Sequence, residues 1–205
     1  MADHCHNLIE IIGNDAALKE VNRWKELLNT FKPTDQDPHC MRAIKAVFYP
    51  ELTQDDNPDY GSKWVHQDNN AIDVSDNQLS LQSAWNRPES LENRMACLLY
   101  PLDPNVILRN SFHIGDNRGG VAYTTPVDSE NAYSQETFVE IDRDEFDDSD
   151  EADDQFSEQL VIEEQDMLND FFLDDMPHLA KILRNHLSHL DIDWEQFEDD
   201  DNDSN

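Results

Sequence analysis

Basic residues are scarce in this sequence. Its 205 residues include 14 Lys and Arg against 46 Asp and Glu, a formal net charge of −32. Such a field repels nucleic acid and acidic membranes and attracts basic proteins. Glycine is scarce too, with five in the chain. They form neither a phosphate-cradling loop nor a dinucleotide fingerprint, and no serine nucleophile elbow or zinc-protease signature occurs. These absences argue against an enzyme, and no cofactor is expected. The three cysteines, Cys5, Cys40 and Cys97, are odd in number and scattered. That fits reduced thiols better than a disulfide framework. No run of 18 apolar residues is present, so no transmembrane helix is expected. The start, Met1 to His6, lacks the basic and apolar regions of a signal peptide. The expectation is a soluble cytoplasmic chain.

The acid is unevenly placed. Residues 1–128 carry 19 acids and 11 bases, a net of −8, whereas residues 129–205 carry 27 acids and 3 bases, a net of −24. Surface acidity of the halophilic kind would be spread more evenly.

Periodicity outlines an α+β chain. Cys5 to Gly13 is rich in β-branched residues and reads as a strand. Asn14 or Asp15 caps a helix with Leu18, Val21, Trp24, Leu27 and Leu28 on one face, and Pro33 marks its stop. Met41–Val47 fits a short helix or a strand. Residues 71–74 and 79–85 read as strands about a turn at 75–77, with Leu79, Leu81, Ser83 and Trp85 on one side. A helix follows Arg87-Pro88, with Leu91, Met95, Leu98 and Leu99 as its apolar face. Val106–Ile114 reads as a strand, Gly119-Gly120 as a turn into Val121–Thr124, and Thr137–Ile141 as a last strand. The order is that of a ferredoxin-like split βαβ domain with an added hairpin.

The acidic run 142–155 would be disordered in isolation. Beyond it, Phe156, Leu160, Val161, Met167, Leu168, Phe171, Phe172 and Leu173 recur at helical spacing, as do Leu179, Ile182, Leu183, Leu187 and Leu190. The expected organisation is therefore a domain over 1–128, an acidic strand and linker over 129–155, and an acidic helical extension with a disordered end over 156–205.

Three stretches resemble the YubB ferredoxin-like family of plasmid and bacteriophage proteins. They are His4–Gly13, Tyr60-Gly61-Ser62-Lys63-Trp64, and Ser83-Ala84-Trp85-Asn86-Arg87-Pro88 before a helix ending at Tyr100-Pro101, followed by the 106–124 strand pair. The resemblance covers roughly residues 4–126. Glu89 stands where the family tends to have a second proline, and Ser83 where it has threonine. The resemblance implies a ferredoxin-like fold and a mobile-element origin, and carries no catalytic residues.

Several residues invite chemistry. His4-Cys5-His6 with His39-Cys40 could supply a tetrahedral zinc site, but the pairs lack the usual ligand spacings. His186 and His189 share a helical face, with His178 nearby; solvated histidines offsetting carboxylates are the simpler reading. Trp194 and Phe197 either pin the tail to its own domain or anchor a partner.

The acidity itself points to a partner. Carboxylates on helices that bear an apolar face can imitate the charge rows of nucleic acid, and a partner's Lys and Arg would accept them without base readout. The carboxylates singled out are Asp147, Asp148, Asp150, Glu151, Asp153, Asp154, Glu163, Glu164, Asp166, Asp170, Asp174 and Asp175. The expected partner is a basic nucleic-acid-binding protein, with no direct contact to nucleic acid or membrane. The expected function is an anti-defence DNA or RNA mimic. The alternative is an adaptor that binds through the apolar face of the C-terminal helices.

Overall fold

The computed structural model describes residues 4–32, 34–35, 37, 41–53, 56–67, 75–115, 118–142, 149–188, 190–192 and 194–197, without the side chains of Met41, Gln67, Ser149, Phe171, Glu195 and Gln196. Pro33, His39, Cys40, Asp147, Asp148, His189, the 71–74 strand expectation and the acidic end from Glu198 lie outside the described residues.

The chain is α+β. Its strands are β1 (His4–Ile12), β2 (Val65–Gln67), β3 (Gln78–Ala84), β4 (Ile107–Ile114), β5 (Arg118–Pro126), β6 (Ala132–Glu136) and β7 (Val139–Glu140). They form one sheet in the order β2-β3-β1-β4-β5-β6, with β7 also on β5. Every ladder among the described residues is antiparallel. The helices are α1 (Asp15–Thr30), α2 (Met41–Phe48), α3 (Glu89–Leu99), α4 (Ser149–Met167), α5 (Leu173–Asp175) and α6 (Ala180–His186). Asn14 caps α1, its side chain accepting from the amides of Ala16 and Ala17. Residues 41–48 resolve as helix rather than strand.

The sheet is covered on both faces. Side chains alternate along each strand, so Ile9, Ile11 and Leu108 point to one face and Ile12 and Ile107 to the other. The first set packs with Val21, Trp24 and Leu28 of α1, Ile44 and Phe48 of α2, and Leu91, Met95 and Leu99 of α3. The second, with Val121 and Tyr123, packs with Met167, Leu168, Phe172, Leu173, Leu179, Leu183, Leu187, Leu190, Ile192 and Trp194. The C-terminal extension therefore covers the second face of the sheet with a hydrophobic cluster of its own. A π-helical turn, Leu168–Phe172, with i→i+5 hydrogen bonding, joins α4 to α5, and Leu168, Phe172 and Leu173 are all buried.

Several boundaries differ from the sequence reading. Trp85 does not continue the inward row of β3. It turns out of the strand at φ 67° and is 46% exposed, a conformation that costs a non-glycine residue free energy. Gly119-Gly120 is no turn but lies within β5. A Cβ on Gly120 would collide with the Thr137 carbonyl oxygen, and one on Gly119 with that of Phe112. The pair is small because other backbone passes over it. Gly120→Ala is therefore expected to lower stability by at least about 2–3 kcal/mol, the cost of overpacking against a rigid neighbour. Chemical denaturation would measure it; a loss under about 0.5 kcal/mol would show that the crossing segment yields easily. In the expected strand and linker over 129–155, β7 lies within the expected strand Thr137–Ile141, β6 is an additional strand, and α4 begins at Ser149, inside the acidic run.

Candidate functional site

The extension is held by one polar clasp inside its apolar contact. Arg109 sits at the middle of β4 on the face toward the extension. Its Nε and Nη2 donate to the two carboxylate oxygens of Glu164 at 2.7 and 2.9 Å. The Tyr123 hydroxyl donates to the same carboxylate at 2.5 Å. Burial, and then the Glu164 charge, pushes the Tyr123 phenol well above its ordinary range, so it stays a donor. Glu164 is 2% exposed. It therefore corrects the expectation of a partner-facing carboxylate: it is bound within the protein. Trp194 is likewise buried in the apolar contact, and Phe197 packs against it half-buried. Of their two readings, pinning the tail to its own domain is the one observed. The apolar faces of the C-terminal helices lie on the sheet, apart from exposed Val161 and Ile162 of α4.

The other carboxylates of the set that lie among the described residues turn outward. Asp150, Glu151, Asp153, Asp154, Asp166, Asp170, Asp174 and Asp175 are exposed, and Glu163 is half-buried. Asp175 accepts a hydrogen bond from the Tyr133 hydroxyl, tying the end of the row to β6. At four-residue spacing, Asp150, Asp154, Glu158, Ile162 and Asp166 lie in one row on α4. Ile162, 55% exposed, interrupts the acids, with exposed Val161 beside it. Five carboxylates between Asp150 and Glu158 fall within about 12 Å of helix axis, roughly 2.4 Å per charge. Duplex DNA carries one charge per about 1.7 Å and a single strand one per about 3.4 Å.

The extension meets the domain at a second acidic feature that the sequence did not reveal. Two cavities adjoin along β6 and the β6–β7 link, sharing Glu136 and Phe138. One, of about 250 Å³, is lined by Gly61, Asn86, Arg87, Glu89, Phe112, Ile114, Glu136 and Phe138. The other, of about 400 Å³, is lined by Gln135, Glu136, Thr137, Phe138, Glu163, Asp166 and Met167. Phe138 is 50% exposed on the ridge between them.

From the first cavity a polar network runs inward. Arg87 bonds Glu92, Glu136 and, at 3.0 Å, the Ser134 hydroxyl. Asn110 donates to Glu92 at 2.7 Å and to Asn7 at 3.0 Å, and Asn7 donates to Ser83 at 2.9 Å. Burial raises Glu92 above the usual carboxylate range, against the opposing pull of Arg87. Cys5, also fully buried, has its thiol pushed up to about 11, chiefly by burial. A thiol in that state is no nucleophile at neutral pH. Because its folded value is raised, the unfolded chain loses the proton first. The stability tied to Cys5 is thus present below about pH 9 and lost as pH rises toward 11, roughly 3 kcal/mol in all. Cys5→Ala should flatten the fall in thermal midpoint between pH 9 and 11; an unchanged slope would assign that fall to other groups.

Among the described residues no group of three or more His, Cys, Asp or Glu is placed to hold a metal ion. His4 and His6 share the sheet face opposite to Cys5. The His4 ring packs edge-on against Trp64, and Gln82 bonds His6 at 3.3 Å. His178 and His186 are exposed on the extension. No helix among the described residues is long and apolar enough to cross a membrane.

No family model, curated protein or solved structure matches this chain.

Proposed function

We propose that this chain is an acidic binding protein of a phage or other mobile element, not an enzyme, that imitates nucleic acid and blocks a basic nucleic-acid-binding host protein such as a defence nuclease, a restriction or CRISPR effector, or a nucleoid protein. The observation that carries the reading is the outward carboxylate row of α4, on a helix fixed by the Arg109–Glu164 pair and an apolar contact. Charge held rigidly at near-nucleic-acid density meets a partner's basic groove without the ordering cost of a loose tail. The β2-β3-β1-β4 order, with α1 and α2 before β2 and α3 before β4, supports a ferredoxin-like core. The resemblance over residues 4–126 is the ground for a mobile-element origin, and the odd, scattered cysteines are the ground for a cytoplasmic setting.

The test is capture of a partner from bacterial extract on the full chain, eluted by a salt gradient. Mimicry expects basic nucleic-acid-binding proteins released as salt rises, because exposed charge contacts are screened. Retention of the same partner at about 1 M salt, where the screening length is only about 3 Å, would contradict it.

A further inference from the structure

The larger cavity at the seam between sheet and extension differs in kind from the open carboxylate row. Its walls are a half-exposed aromatic ring, Phe138, and the Met167 thioether, and its charged lining is Glu136, Glu163 and Asp166 with no Lys or Arg. In the neighbouring cavity Arg87 lies against Glu136 and, at 3.7 Å, Glu89. That side is therefore already occupied by a guanidinium of the protein's own. The larger side has the same acidic rim and the shared Phe138 ring, and among the described residues neither Glu163 nor Asp166 enters an ion pair.

We propose that this cavity receives an arginine side chain of the partner. The inference rests on the reading of a basic partner and names the group that docks there. A planar guanidinium suits the place better than an ammonium. It stacks on an aromatic face and donates in a fork to carboxylates at the rim, and it is less strongly hydrated, so it enters a partly apolar cavity at lower cost. The thioether and ring take the side chain's methylene stem. Glu136 comes from β6, Glu163 and Asp166 from α4, and the clasp at Arg109 ties α4 to β4 of the same sheet. The cavity thus exists only while the extension is docked.

The experiment titrates the full-length chain with N-acetyl-Gly-Arg-Gly-amide and reads NMR signals of the Phe138 ring and Met167 methyl. Saturable shifts at these two groups are expected, with none from the citrulline counterpart and weaker binding of the lysine peptide. Phe138→Ala and the Glu163→Gln/Asp166→Asn pair, all at exposed or half-buried positions, should each weaken binding about tenfold. Shifts scattered over many acidic residues without saturation, or equal affinity for Phe138→Ala, would overturn the proposal. A chain that captures a basic partner yet ignores the peptide would refute the cavity alone. A chain that binds the peptide but captures no nucleic-acid-binding protein would refute mimicry alone.

Discussion

Arg109→Leu should cost this protein about 3–5 kcal/mol, the largest single effect expected outside its apolar core. The substitution leaves the Glu164 carboxylate buried with one phenol donor and no cation. A charge stranded in a poorly polarisable interior is far more costly than the intact pair is stabilising. Whole-domain stability is commonly about 5–15 kcal/mol, so the loss would be a large share of it. The damage should begin at the extension, because the pair is what joins α4 to β4. Proteolysis within 149–197 should therefore accelerate before the sheet melts. Replacing both partners, Arg109→Leu with Glu164→Leu, removes the stranded charge and should recover most of the loss, leaving about 1 kcal/mol for the orphaned Tyr123 hydroxyl. Chemical denaturation of the two variants decides the matter. If Arg109→Leu cost less than about 1 kcal/mol, the apolar contact alone would suffice to hold the extension.

Neutralising the outer acids should leave the fold intact and abolish most partner binding. Glu151→Gln, Asp154→Asn, Glu158→Gln, Asp170→Asn and Asp174→Asn all change exposed side chains and spare Asp166 of the seam cavity. Exposed ion pairs are worth about 0.5 kcal/mol each, so five sum to roughly 2.5 kcal/mol, about seventyfold in affinity. The salt dependence should flatten in step, since fewer contacts remain to be screened. Stability should hold or rise slightly, because Glu151, Asp154 and Glu158 repel one another along α4. Binding that survived the five changes would move recognition elsewhere, with exposed Val161 and Ile162 the next residues to test.

The sequence disclosed the elements more readily than the site. The Asn14 cap and the three-to-four spacing of Val21, Trp24 and Leu28 mark α1 directly, because capping and amphipathicity are local. The Gly119-Gly120 pair reads as a turn because its cause is remote: Thr137 of the β6–β7 link and Phe112 of β4 crowd it. Glu164 was not distinguishable among 46 acids by its own surroundings. The one signal was Arg109 itself, a base within the strand Ile107–Ile114, which calls for an acid opposite wherever the strand is covered. Trp85 was assigned inward by strict alternation, and the chain breaks that alternation with a positive φ at the strand's end. The seam cavity has no sequence signature, because residues about thirty positions apart, Glu136 and Phe138 against Glu163 and Asp166, meet only once the extension docks.

The central claim is that the ordered acid of α4 occupies the place of nucleic acid on a basic partner. Competition tests it most directly: the captured partner, preloaded with fluorescent duplex DNA or RNA, is titrated with the full chain. The account predicts stoichiometric displacement of the nucleic acid, weakened by salt and lost in the five-fold neutralised variant. A stable ternary complex of partner, nucleic acid and this chain would contradict it.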